Sequence, residues 1–265
     1  MKHISITSWL LSVFVLLCGC GGGRTPSQPA GPPPLFLKVA GNWQFSMTST
    51  TAGTSPLTVA GVINQSSTSV SGGVHVNGSD CFDSLTTIGL TGTLTGSNIS
   101  LSSTSVVGQV ATLTGTISDD AFTGTYTING GCASGDQGRV TGIKVPPITG
   151  TLNGTFTTSE KSTFDAAAHL TQSNTSSVGT FGLTGTVTFA TPCFGSGTVK
   201  SRTFPSGSFI TGTSVALEIE SDNGIVNFVG TVNPDTLEIR GNYVVSGGTC
   251  DQTGTAVLDT NPWDY

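Results

Sequence analysis

From Gly41 onward, apolar residues alternate with threonine, serine and glycine in short runs. Phe122-Thr-Gly124-Thr-Tyr126-Thr-Ile128 and Leu113-Thr-Gly115-Thr-Ile117 show the pattern. A period of two places the apolar side chains and the glycines on one face of a strand and the threonines on the other. Threonine suits such a strand because its branched Cβ fits the pleat while its hydroxyl faces water. In the first half of the chain the runs start near residues 42, 56, 68, 86, 97, 109, 121 and 138. Turn-forming residues separate them, as in Gly96-Ser97-Asn98 and Ser118-Asp119-Asp120. Links this short join antiparallel neighbours, so the pattern predicts an all-β meander with no amphipathic helix. Eight meandering strands close most simply into an up-and-down barrel, which removes exposed edges. A two-sheet sandwich is the alternative.

A glycine on the apolar face of a strand costs about 0.5–1 kcal/mol relative to alanine, so its recurrence asks for a reason. A missing side chain permits the sharp coiling that a small barrel needs, or makes room for a bulky neighbour. It could equally leave room for a ligand.

The pattern then repeats. Phe122 to Cys132 reads FTGTYTINGGC, and Ile239 to Cys250 reads IRGNYVVSGGTC. Cys81-Phe82-Asp83-Ser84 matches Cys193-Phe194-Gly195-Ser196, and Leu113-Thr-Gly115 matches Phe228-Val-Gly230. Leu94-Thr-Gly96 matches Ile210-Thr-Gly212, and Gly41-Asn42-Trp43 is matched to Gly154-Thr155-Phe156. Landmarks in the same order at a near-constant offset signify an internal duplication. The join falls at Val145-Pro146-Pro147, which gives one β-domain over residues 41–145 and a second over 146–265.

Each copy carries two cysteines at matching places, and four cysteines allow three pairings. Duplication favours Cys81 with Cys132 and Cys193 with Cys250, each bridge within its own copy. Each would close a loop of more than 50 residues, worth about 4 kcal/mol by chain entropy. The cysteines lack CxxC spacing and a shared histidine, so no metal site is expected.

The N-terminus has a different character. Met1-Lys2-His3 is a short basic start, and Ile4 to Leu17 is an apolar run too short to span a bilayer comfortably. Leu17-Cys18-Gly19-Cys20 follows. The stretch resembles the lipobox of bacterial lipoproteins, cut just before a cysteine that then carries a diacylglyceryl group and usually an N-acyl chain such as palmitate. The resemblance implies a signal peptide over residues 1–19 and lipidation at Cys20. The alternative is an ordinary signal peptide in which Cys20 is incidental. More than one acyl chain anchors stably. Gly21 after the cysteine, rather than aspartate, implies transport to the outer membrane. Residues 20–40, rich in glycine and proline, read as a flexible tether. The whole chain resembles the Gly/Thr-rich β-repeat lipoproteins of Gram-negative bacteria.

Charge narrows the partners. The formal net charge is −6 and only 9% of residues are charged. With no basic patch and no interleaving of aromatic and basic residues, nucleic acid is not an expected partner. Export also supplies the oxidising compartment in which the disulfides can form.

Gly41-Asn42-Trp43 at the start of an eight-stranded meander resembles the calycins, the group of lipocalins and avidins. That resemblance implies a tryptophan closing one end of the barrel beneath an arginine from a late strand, and Arg139 would stack on Trp43 in that role. No avidin-like set of tryptophans accompanies it.

Candidate chemistry is sparse. Nucleophilic catalysis needs a poised base. His75 and His169 are not shared between the copies, and alternation turns both toward solvent. GxSxG, HExxH and P-loop motifs are missing. Glu218 and Glu220 fall on the solvated face. The shared polar constellation is Asp136-Gln137 and Asp251-Gln252, just after the second cysteine of each copy. It reads as a turn into the last strand or as a loop contact to a calcium ion or a sugar. The expectation is a non-catalytic, cofactor-free, membrane-anchored envelope protein. Either it binds a small ligand or glycan in or around its barrels, or it is a structural or surface-interaction protein with filled barrels. Its protein partners are not specified by the sequence.

Overall fold

The computed structural model describes residues 37–260, apart from 192, 203 and 249. The expected signal peptide over residues 1–19, Cys20 and most of the expected tether over residues 20–40 lie outside the described residues. Eight strands form the first copy: β1 Gly41–Ser49, β2 Leu57–Ser66, β3 Ser69–Asn77, β4 Ile88–Thr95, β5 Asn98–Ser103, β6 Val110–Ser118, β7 Ala121–Asn129 and β8 Gln137–Val145. They pair in sequence order, and β8 pairs back onto β1 to close a barrel. The starts lie within two residues of those expected from alternation. The two-sheet sandwich is set aside.

The second copy comprises β9 Gly150–Thr158, β10 Thr163–Ser177, β11 Thr180–Phe189, β12 Ser196–Val199, β13 Phe209–Thr211, β14 Ser214–Ser221, β15 Gly224–Val232, β16 Ile239–Ser246 and β17 Gln252–Thr260. It closes through β17 with β9 and β10 with β11. The strands β12 and β13 occupy one place between β11 and β14. They are two pieces of the strand that β4 makes unbroken in the first copy. Between them the chain leaves the wall after Lys200 and returns at Ser208. Ser208 N–H donates to the Lys200 carbonyl at 2.8 Å and closes the excursion. The fully buried Ser208 hydroxyl then accepts from Glu218 N–H at 2.8 Å and donates to the Glu218 carbonyl at 3.3 Å. A side chain thus patches the gap in the backbone ladder, as a buried polar backbone requires.

The inward glycines answer the question their pattern raised. Gly115 and Gly124 face each other across β6 and β7, as Gly230 and Gly241 do across β15 and β16. A Cβ on Gly124 would stand 2.8 Å from both the Gly115 Cα and the Phe122 ring. A Cβ on Gly241 would stand 2.6 Å from both the Gly230 Cα and the Phe228 ring. The paired glycines let two strands coil tightly while one aromatic ring covers both. The room goes to the protein's own rings.

Superposing the registers corrects one sequence match. Ser49 pairs with Gly138 and Thr158 with Gly254, which makes Leu152 the counterpart of Trp43 and Phe156 that of Met47. The assignment of Gly154-Thr155-Phe156 to Gly41-Asn42-Trp43 is off by four residues. An even shift preserves which face each residue takes, so alternation cannot detect it. The true register reveals a compensation. Phe45 lies opposite Gly142 in the first barrel, and Gly154 lies opposite Leu258 at the same place in the second. Large and small have exchanged strands.

The chain also packs earlier than the expected tether boundary at residue 40. Val39 is fully buried in the first core, and its carbonyl accepts the Trp43 indole N–H at 2.8 Å.

Candidate functional site

Three places could carry function: the lumens, the barrel ends near the disulfides, and the surface where the copies meet. The lumens are filled. In the first barrel Trp43 stacks on Phe45 with centroids 5.7 Å apart, and Phe122 meets Phe45 edge-on at the same distance. The cavity lined by Met47, Phe82 and Ile128 measures about 30 Å³, roughly the space of one water, and its walls are apolar. In the second barrel Phe156, Phe164, Phe189, Phe194 and Tyr243 form one aromatic cluster with centroid separations of 5.1 to 6.3 Å.

The expected pairing of Trp43 with Arg139 is corrected. Trp43 is 1% exposed and lies opposite Lys144, whereas Arg139 lies opposite Thr48, five residues along, and faces out. The late-strand cation on the tryptophan's row is Lys144. Its Nζ donates to the Lys38 carbonyl at 3.3 Å and lies 3.7 Å from Asp120.

Both disulfides join the expected partners, Cys81 with Cys132 and Cys193 with Cys250, each with Cα atoms 5.8 Å apart. Beside them the two copies differ. In the first barrel Asp136 is a strap: Ser49 Oγ donates to its Oδ1 at 2.5 Å and Tyr126 Oη to its Oδ2 at 3.0 Å. Burial and the neighbouring carboxylate push the Tyr126 phenol up to about 12. In the second barrel Thr253 stands between Gln252 and Gly254, with no counterpart between Gln137 and Gly138. One extra residue in a strand reverses the faces of everything before it. Asp251 is therefore turned outward, and Gln252 takes the place of Asp136. The Tyr243 hydroxyl, buried like that of Tyr126, has no hydrogen-bond partner among the described residues, and burial raises its pKa. The shared Asp-Gln motif is thus not one constellation: Asp136 closes the first barrel beside an exposed Gln137 whose backbone carbonyl accepts from Thr50 Oγ1, while Asp251 and Gln252 line a pocket of about 480 Å³ at the end of the second.

The third place escaped the sequence. His75 does face away from the first lumen, as alternation required, yet it is 2% exposed. The second barrel covers it. Its Nε2 lies 2.8 Å from the Val178 carbonyl, and its ring lies 4.3 Å from that of Phe204 in the excursion. Thr87 Oγ1 donates to the same carbonyl at 3.2 Å. Asn42 clasps Gly212: Nδ2 donates to its carbonyl at 2.7 Å, and its N–H donates to Oδ1 at 2.6 Å. The Thr213 N–H adds a bond to Gln44 Oε1 at 3.2 Å. Two hairpin tips and the excursion of the second barrel therefore stand on the outer face of β1, β2 and β3. Thr211 Oγ1 ties the two tips together through the Gly179 carbonyl. A tip residue as small as Gly212 is needed, because a Cβ there would meet Ala60 at 2.8 Å. One signal did exist. Val59-Ala60-Gly61-Val62-Ile63 is apolar without alternation, the mark of a strand buried on both faces.

The equivalent face of the second barrel carries Asn153, Asp165, Ala167, His169 and Thr188 in place of Gln44, Thr58, Ala60, Val62 and His75. It is open to solvent, His169 is exposed as expected, and a groove of about 670 Å³ runs along it past Asp165 and Asp259. Burial, then the Glu238 carboxylate, raises the Asp259 pKa. On β14, Glu218 and Glu220 face out and pair with Arg202 at 2.9 and 3.2 Å. Among the described residues no group of three histidine, cysteine or acidic side chains could hold a metal ion.

No protein-family model matches the chain, and no curated protein matches its sequence. Among solved structures, a candidate outer membrane protein of Bacteroides fragilis is similar over 84% of this chain and 98% of its own, with 13% identity and a TM-score of 0.27. A protein of unknown function from Nostoc punctiforme is similar over 83% and 94%, with 8% identity and a TM-score of 0.27. An agglutinin from Burkholderia oklahomensis is similar over 83% and 95%, with 13% identity and a TM-score of 0.20. Likeness at this level carries no argument about function.

Proposed function

We propose that the chain is a non-catalytic lipoprotein of the bacterial cell envelope, anchored through Cys20 in the outer membrane, that displays two barrels joined as one head. The observation that carries the reading is the filling of both lumens by the protein's own side chains. A calycin-like carrier needs an emptied lumen, and a cavity near 30 Å³ holds no metabolite. Recognition is therefore assigned to barrel ends and outer surfaces. The anchor rests on Leu17-Cys18-Gly19-Cys20. Two acyl chains would make attachment durable, and the proline-rich segment after Cys20 would hold the head off the lipid.

The test is metabolic labelling with an alkyne fatty acid in a Gram-negative host, followed by fractionation. The wild type and Cys18→Ala should take up label and sediment with outer membranes. Cys20→Ala should lose the label and leave the membrane fraction. Label retained by Cys20→Ala would sink the anchoring site, and wild-type protein in the soluble fraction would sink the envelope anchor altogether.

A further inference from the structure

We propose that His75 makes the joint between the two barrels acid-labile: on gaining a second ring proton it releases the tips of the second barrel from the outer face of β1, β2 and β3. Its Nε2 lies 2.8 Å from the Val178 carbonyl. A carbonyl only accepts, so Nε2 carries the ring proton and Nδ1 is the bare nitrogen. Nδ1 is buried and has no hydrogen-bond partner among the described residues. An added proton goes there. It creates an N–H with no acceptor, and a positive charge, on a residue that is 2% exposed. The tip is seated closely, since a Cβ on Gly179 would stand 2.7 Å from the Gly73 carbonyl oxygen and 3.3 Å from His75 Nε2. The Phe204 ring, 4.3 Å away, offers a cation some attraction. Water offers Nδ1–H a full hydrogen bond, and it reaches the ring once the tips lift. Protons therefore favour the parted form, and the joint weakens as pH falls.

No neighbouring carboxylate offsets the charge. The seam residues on β1 and β2 are Asn42, Gln44 and Ala60, and the two tips bring Val178, Gly179, Gly212 and Thr213, all uncharged. The charged residues on the other elements packed there are Asp80 and Asp83, exposed in the loop between β3 and β4, and Lys200 and Arg202 where the excursion begins. Asp83 accepts from Leu85 N–H at 2.9 Å within its own turn. Lys200 and Arg202 are held by Glu220 and Glu218 on β14, at 3.2 and 2.9 Å. Among the described residues, none of the four bonds to the imidazole. Parting the barrels uncovers Ala60 and Val62, now 2% and 1% exposed. In acid the head thus presents an apolar strip that is hidden at neutral pH. The device stands whether or not Cys20 is lipidated.

The test is amide hydrogen exchange by NMR on the full chain, exported, oxidised and held in detergent, between about pH 8 and pH 5, the span in which histidine changes charge. Each rate is expressed as protection relative to the intrinsic rate at that pH. Gly212 N–H and Thr213 N–H report the joint, because their acceptors, Asn42 Oδ1 and Gln44 Oε1, belong to the first barrel. Glu218 N–H, bonded to Ser208 Oγ within the second barrel, is the control. Protection at Gly212 and Thr213 should fall in acid by up to about tenfold per pH unit, the limit for one proton, while Glu218 holds. His75→Gln, whose side-chain N–H still reaches for the Val178 carbonyl, should keep its protection at every pH. The His75 ring resonance should report proton uptake only as the joint opens. Should His75→Gln lose protection at every pH, the wild-type ring decides alone. Protection at Gly212 and Thr213 that ignores pH, a fall that persists in a closed His75→Gln, or a charged His75 ring in a joint still protected each overturns the proposal.

Discussion

The two barrels descend from one pattern and solve the same problems with different residues. The first ends in a carboxylate strap, hides its outer β1–β2–β3 face, and puts its large residue on the opening strand as Phe45. The second leaves its disulfide end open, exposes the equivalent face, and puts its large residue on the closing strand as Leu258. What both keep is the set of devices that close a small barrel: paired glycines, one ring over each pair, and a bridge between the same loops. Closure is thus the invariant, and ends and faces are free to diverge once closure is secured.

The largest effect should be the same in both copies. The bridges span 51 and 57 residues, so replacing either cysteine pair by alanine should cost about 4 kcal/mol in urea unfolding, with little difference between the copies. A gap of more than about 2 kcal/mol between the two variants would mean that one barrel does not depend on its staple as the other does.

The exchange of Phe45–Gly142 for Gly154–Leu258 gives the next effect. Gly154→Phe alone should destabilise by about 3 kcal/mol, because the new side chain meets Leu258. Adding Leu258→Gly should recover much of the loss and leave the second barrel with the pairing of the first. Additive losses in the double-mutant cycle would show that the two positions do not compensate.

The smallest effects have opposite signs. Tyr126→Phe removes a hydrogen bond to a carboxylate and should cost about 1.5–3 kcal/mol, whereas Tyr243→Phe removes an unpaired buried hydroxyl and should be neutral or stabilise by about 1 kcal/mol. In the pH dependence, Tyr126 keeps its proton in the folded state up to about 12, while the unfolded phenol loses it near 10. Its contribution is whole below pH 10 and disappears as pH rises through 12. Tyr126→Phe should flatten that fall, as followed by alkaline unfolding. An unchanged profile would show that the strap does not titrate with the fold.

Much of this was legible in a one-dimensional pattern because closure is a local matter. Alternation located the eight strands of the first copy, and glycine on the apolar face announced the coiling. Repetition paired the cysteines. The failures share one cause: the relation between elements is written in register and in surface contact. A four-residue slip joined Trp43 to Phe156, although both face inward in any case. A one-residue insertion made Asp251 resemble Asp136 in sequence while reversing its face. His75 was given the correct side of its strand and the wrong neighbour, because Val178 and Phe204 lie more than 100 residues away.

The clasp between Asn42 and Gly212 has a mechanical meaning. Asn42 opposes Val145, so the strand by which the chain enters the first barrel and the strand by which it leaves for the second lie side by side at one end. Tension between an anchor and the second barrel would otherwise pry β1 from β8 row by row, the weakest way to load a sheet. Asn42 grips the second barrel one residue after β1 begins. A pull arriving along the chain therefore crosses to the second barrel through that side chain before it reaches the seam, and the first barrel hangs beside the load path instead of within it.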